Sequence, residues 1–244
     1  MEPITGTAAG VPFTALPPAV AGPAPLLVTW HMMDPPRTNA AFAAALPLHD
    51  VPAWRVHLGM PLSGERSLPG GDAAFFELAR RDTMLAYLDP IVRQAADEFP
   101  AALAELRERL PVDDGPIGVV GGSLGGAVAL RILARREIPV AAAAVVNAAI
   151  RIRSVVGLVE DVTGTPYSWH EESRRVADRL DFVARAGDVA GPPLLVVSGE
   201  LDHPALRTDA AELADALRER YAEPEHVALV EIPGLAHPLA EHPG

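Results

Sequence analysis

Residues 119–130 read VVGGSLGGAVAL: the end of an apolar run, four glycines around Ser123 and Leu124, then an alanine-rich stretch. The segment from Pro116 to Gly122 is β-branched and bounded by Pro and Gly, which predicts a short buried strand. Leu124 to Arg136 predicts a helix. Ser123 therefore stands at a strand-to-helix turn, within the G-x-S-x-G pattern Gly121-Gly122-Ser123-Leu124-Gly125. A serine at such a turn needs a strained backbone with φ > 0, at a cost on the order of 1–3 kcal/mol. Glycines two residues to either side let strand and helix close around it. The hydroxyl then projects above the C-terminal edge of the sheet, where open α/β sheets bind ligands. The first N–H groups of the following helix face any negative charge that develops there. A plain glycine turn or a phosphate-binding loop is the competing explanation. G-x-G-x-x-G fails because position 123 is serine, and a P-loop fails because all 20 basic residues are arginine.

A serine hydroxyl becomes a nucleophile only when a base takes its proton and a third group orients that base. In folds of this kind the acid and the histidine follow the serine in that order. SGELDHPA (198–205) follows a predicted strand and offers Glu200 and Asp202; PGLAHPLA (233–240) follows the last predicted strand and offers His237. Both candidates fall just past the C-terminal ends of their strands, on the edge expected for Ser123. His203 adjoins Asp202 too closely in sequence to serve readily as the base.

On these residues the chain resembles the α/β-hydrolase fold family, in its esterase and prolyl-oligopeptidase-like (dienelactone hydrolase-like) branches, from about Leu26 to His237. The resemblance implies the acid at the fourth position of Gly199-Glu200-Leu201-Asp202, hence Asp202 rather than Glu200. It implies the histidine at the end of Gly234-Leu235-Ala236-His237. It also implies an oxyanion hole of two backbone N–H groups, one from Leu124 and one from TWHMMDPPRTNAAF (29–42). Aligning His31 with the family's strand-ending histidine puts Met32 where the family has glycine and makes Met33 the donor; a register one residue shorter makes Met32 the donor. If the backbone there needs φ > 0, methionine strains it. MPLSGER (60–66) resembles the family's P-x-x-G-x-R loop and is read as structural.

Strand-like runs at 25–31, 53–61, 116–122, 140–149, 193–200 and 226–234 alternate with helical patterns, which predicts an α/β fold with a mostly parallel sheet covered by helices on both faces. One short edge strand is expected near Val11 to Ala15, and helix breaks are expected near Asp82 and Pro100. Residues 1–244 are read as one domain, with 151–191 as a small helical lid. Tyr167 and Trp169 from the lid, with His31 and Met32, are candidate substrate-binding residues, His31 also being read as a buttress of the oxyanion loop, and Trp30 and Met33 would help to make the pocket apolar. Packing of the lid helices on the sheet explains Tyr167 and Trp169 equally well. Arg151 and Arg153 are read as solvated charge, with a substrate carboxylate as the alternative.

Composition narrows the function. Without cysteine there are no disulfides and no thiolate chemistry; without lysine there is no Schiff base. A formal net charge of −12 opposes nucleic acid or an anionic membrane as partner. No signal peptide or spanning segment is recognised, so a cytoplasmic protein is expected. His237 and His242 lie in HPLAEH, which fits neither H-E-x-x-H nor H-x-x-E-H, so no metal is expected, nor any other cofactor. The expected activity is a serine carboxylesterase for small to medium acyl esters, with a small-molecule ester as its partner. The alternatives are a thioesterase, a lactonase, a peptidase, or a catalytically silent scaffold that binds a ligand.

Overall fold

Runs of Val, Leu, Ile and Ala between turn residues form the strands, and the amphipathic stretches between them form the helices that cover them. The computed structural model describes residues 2–19 and 22–240. In chain order the elements are β1 (Ile4–Ala8), β2 (Val11–Leu16), β3 (Leu26–Trp30), α1 (Asn39–Ala45), β4 (Trp54–Leu58), α2 (Gly71–Arg81) and α3 (Asp89–Arg109). Then come β5 (Ile117–Gly122), α4 (Leu124–Arg135), β6 (Val140–Val146), α5 (Ile152–Thr163), α6 (Glu171–Arg179), α7 (Ala186–Val189), β7 (Leu194–Leu201), α8 (Pro204–Arg218) and β8 (Val227–Ala236). The strands form one sheet in the order β1-β2-β4-β3-β5-β6-β7-β8. β1, β2 and β4 pair antiparallel, and every pair from β4 to β8 is parallel.

β1 is a strand that periodicity does not reveal. Its sequence, ITGTA, is small and largely exposed, and it forms a hairpin with β2 through Ala9 and Gly10, both at positive φ. The break expected near Asp82 is present. Asp82 is extended, and its carboxylate accepts from the N–H groups of Met84 and Leu85, capping a π-helical turn over Thr83–Leu88. The break expected at Pro100 is absent, for α3 runs through it. Proline leaves the carbonyl four residues back without a helical donor. That carbonyl, Ala96 O, instead accepts from Arg135 Nη1 of α4 at 3.0 Å, so a neighbouring helix repairs the gap.

Helices lie on both faces of the sheet. Trp30 packs edge-on against Phe99 of α3, with ring centroids 4.9 Å apart. On the opposite face His57, whose Nδ1 lies 2.8 Å from Thr29 Oγ1, packs against Phe42 of α1. Cover thins towards β8, where Val230 and Ile232 are partly exposed. The C-terminal ends of β3, β5, β7 and β8 share one edge of the sheet, and the loops leaving them carry the residues considered next. No helix among the described residues is long and apolar enough to cross a membrane.

Candidate active site

Ser123 links β5 to α4 with φ 48° and ψ −120°, the strained turn the sequence predicts. Its N–H donates to Val146 O at 3.0 Å, and its carbonyl accepts from Gly126 and Ala149, each at 2.9 Å. These bonds hold the unfavourable backbone in place. Two glycines make the turn possible. A Cβ on Gly121 would run into the carbonyl of Gly125, and one on Gly125 into the carbonyls of Trp30 and His31. Gly125 thus lets the end of β3 approach the start of α4.

Ser123 Oγ lies 2.9 Å from His237 Nε2, and His237 Nδ1 lies 2.7 Å from Asp202 Oδ1. With Nδ1–H donated to the carboxylate, Nε2 is left to accept the serine proton. Asp202 is buried, and Oδ1 also accepts the His203 N–H at 2.7 Å. Glu200, the other candidate acid, is exposed and accepts from the Gly234 N–H at 2.8 Å, bracing the loop that leads to His237. Burial disfavours the charged ring of His237. Hydrogen bonds to Asp202 and Asp34, with the charges of both, outweigh burial and lift its pKa to about 9. The bond to His237 in turn holds the Asp34 carboxyl below its ordinary range.

Asn147 was not singled out by the sequence reading. It ends the β6 exit with φ 46° and is buried. Its Oδ1 accepts from the Gly199 N–H at 2.7 Å, and its Nδ2 donates to the carbonyls of Ala236 at 2.8 Å and His237 at 3.1 Å. One side chain therefore ties the loop of the acid to the loop of the histidine. The available signal was an asparagine directly after VV on the same sheet edge, since asparagine tolerates the left-handed region.

Neither Met32 nor Met33 has positive φ, so methionine at the family's glycine position carries no backbone strain. His31 is buried, donates Nδ1–H to Met32 O at 2.6 Å and accepts the Met60 N–H on Nε2 at 2.9 Å. Burial, partly offset by the bond to Met32, lowers its pKa to about 4 and keeps it neutral. Met32 is also buried, and a Cβ on Gly122 would come within 2.8 Å of its Cγ. Of the two readings of His31, substrate contact and buttress of the oxyanion loop, its burial and bonds fit the second; Met32, expected to face substrate, is closed off. Trp30 likewise belongs to the core. Leu124 is the first residue of α4, so its N–H has no intrahelical acceptor. In the 60–66 loop, Ser63 Oγ donates to Arg37 O and Arg66 donates to Gly59 O at 3.0 Å.

The 151–191 segment contains α5, α6 and α7. Tyr167 donates its hydroxyl to Asp82 Oδ1 at 2.7 Å and its N–H to Glu160 Oε1 at 2.7 Å. Trp169 packs edge-on against Tyr167, under the Arg153 guanidinium. These partners tie the segment to the π-helical turn and are not residues of the Ser123–His237–Asp202 chain. Arg151 pairs with Asp181, Asp209 and Glu212, and Arg153 with Asp178. Both arginines are thus engaged in ion pairs. Among the described residues no three His, Cys, Asp or Glu side chains are grouped to hold a metal, and His242 lies outside them.

Fold and sheet edge define a class, the α/β hydrolases, and solved structures share the architecture. TT1662 from Thermus thermophilus is 21% identical with a TM-score of 0.69, over 98% of this chain and 92% of its own. The acylaminoacyl peptidase of Pyrococcus horikoshii is 17% identical with a TM-score of 0.66; the match covers 97% of this chain but only 37% of the peptidase. S-formylglutathione hydrolase (FrmB) from Staphylococcus aureus is 13% identical with a TM-score of 0.59, over 98% and 89% of the two chains. At these identities the likeness is one of fold. No curated protein sequence matches the chain. The model of the prolyl oligopeptidase family matches residues 92–242, and the chain belongs to that family of serine hydrolases.

Proposed function

We propose that the protein is a carboxylesterase for small to medium acyl esters, with Ser123 as nucleophile, His237 as base and then acid, and Asp202 as orienting carboxylate. The observation that carries this is the bonded chain from Ser123 Oγ through His237 to Asp202, at 2.9 and 2.7 Å. Ser123 Oγ attacks the ester carbonyl as His237 Nε2 takes its proton. The Leu124 and Met33 N–H groups receive the oxyanion. His237 returns the proton to the leaving alcohol, and water, activated by the same ring, releases the acid. Asp202 keeps the ring in the tautomer that accepts at Nε2 and stabilises it when charged. An alcohol and an amine each leave with the one proton that His237 carries, so the same relay serves ester and amide alike. The family's peptidases supply the second reading, a peptidase acting at the same serine.

A fluorophosphonate probe should label the wild type and not Ser123→Ala, whose ester hydrolysis should fall roughly 10⁶-fold. A p-nitrophenyl ester chain-length series, run beside thioester, lactone and peptide substrates, then ranks the substrate classes; faster turnover of the peptide would install the second reading. Because His237 must be neutral to act as base, kcat/KM for an uncharged ester should rise with pH through about 9 and level off above it. A profile already flat at neutral pH would contradict the placement of both carboxylates against the ring.

A further inference from the structure

His237 Nε2 faces two oxygens. Ser123 Oγ is 2.9 Å away and Asp34 Oδ2 is 3.5 Å away. The acyl-transfer steps above leave Asp34 without a task. It follows Met33 on the loop after β3, and its side chain is 57% exposed, open to whatever enters. The loop beneath it is fixed, because the Leu239 N–H donates to Pro35 O at 3.1 Å and Ser63 Oγ donates to Arg37 O. Four titratable groups act on or feel this carboxylate: His237 and His203 from the loops after β8 and β7, Arg37 from its own loop, and Tyr87 from the π-helical turn. Arg37 also pairs with Asp72 at 3.4 Å, so its charge is shared. Burial and the nearby Asp34 push the Tyr87 hydroxyl up, so it is neutral. Asp202 stands behind the ring. When His237 is neutral, as activation of Ser123 requires, the carboxylate of Asp34 is the charge exposed beside Nε2, with Asp202 buried behind the ring and the Arg37 guanidinium shared with Asp72.

We propose that Asp34 is a specificity-determining residue that selects esters whose leaving alcohol carries a cation, an alkylammonium group in particular. The inference rests on the serine-hydrolase reading above. Nε2 must hand its proton to the leaving oxygen, so that oxygen is held against Nε2, on the side where Asp34 stands. A cation two or three bonds beyond the oxygen then meets the carboxylate. A neutral alcohol leaves Asp34 holding the protonated ring, the form that cannot act as base. A cationic alcohol gives the carboxylate another partner and releases the ring to Ser123. An anionic alcohol is repelled. The same carboxylate thus attracts the substrate and, once occupied, relaxes its hold on the base.

The test uses two acetate esters of one shape, the trimethylammonioethyl ester and its neutral 3,3-dimethylbutyl isostere. At low ionic strength the wild type should favour the cationic ester by about tenfold in kcat/KM, between the fully solvated and partly buried limits for a charge pair. Asp34→Asn should bring the ratio to about one, and about 0.5 M salt should shrink it in the wild type. The rising limb of the pH profile on the neutral ester should move to lower pH in Asp34→Asn, a shift that a merely structural role would not produce. Equal ratios in wild type and variant, or no preference in the wild type, would overturn the proposal. If fluorophosphonate labels Ser123 and both esters turn over equally, only the role of Asp34 is lost. If Ser123 is not labelled and neither ester is cleaved, the serine-hydrolase reading itself has failed.

Discussion

Two loops leave neighbouring parallel strands on the same sheet edge and are built on opposite principles. The turn after β5 concentrates its strain in one residue, Ser123 at φ 48°, and depends on glycines because carbonyl groups crowd the missing side chains. The loop after β3 has no left-handed residue at Met32 or Met33 and is held from outside, by His31 bonded to Met32 O and Met60 N–H and by the 60–66 loop beneath Arg37. A nucleophile has to be aimed as a side chain, which constrains the backbone and leaves a mark in residue types. An oxyanion donor is a backbone N–H, which every residue but proline supplies, so its identity can drift. The substitution of methionine for the family's glycine is therefore tolerated, whereas no equivalent change at 121 or 125 fits.

That contrast can be broken at three points. Gly125→Ala should have the largest effect, because its Cβ meets carbonyls of Trp30 and His31 and pushes both loops apart at once. Displacing two sets of reacting groups should cost at least about 10³-fold in kcat/KM. Overpacking should also cost about 1–3 kcal/mol of stability, read as a lower denaturant midpoint. Wild-type kinetics in this variant would show that the close approach is not required. Met33→Pro comes next. It removes one N–H and should reduce kcat by about 10²–10³-fold, while Met33→Ala, which keeps the N–H, should stay within about threefold of wild type. Equal losses in the two would transfer the donor role to Met32, the shorter register. The smallest effect is expected at the clamp joining the acid and histidine loops. Asn147→Gly suits the left-handed backbone yet deletes the bonds to Gly199, Ala236 and His237. Loosening the base should lower kcat by about tenfold with KM little changed, a size set by the angstrom-scale tolerance of reacting groups. An unchanged kcat would mark the asparagine as purely architectural.

Much of this site was legible because its demands fall on residue type. Ser123, Asp202 and His237 are of residue types that can form a proton relay in that order, and each follows a recognisable apolar run. Asn147 was hidden because its work is done through backbone groups of loops that lie 52 and 89 residues away in the chain. Asp34 was hidden for a similar reason, since nothing in MMDPPR shows that its carboxylate lies beside His237 Nε2. Met32 is expected to face substrate and is instead closed off, because sequence position does not report burial. The run of α3 through Pro100 escaped prediction because the donor that satisfies Ala96 O comes from α4.

The sequence by itself determined the alternation of strands and helices, the strained serine turn, and the order of Ser123, Asp202 and His237 along the sheet edge. These follow from hydrophobic period, steric access to φ > 0 and side-chain chemistry, all local properties of the chain. Only the tertiary structure decided which carboxylate meets His237 Nδ1, that a second one stands at Nε2, and that one buried asparagine binds both loops. Those facts depend on distances between distant segments, and such distances are set by how the sheet packs and twists, not by any one stretch of sequence.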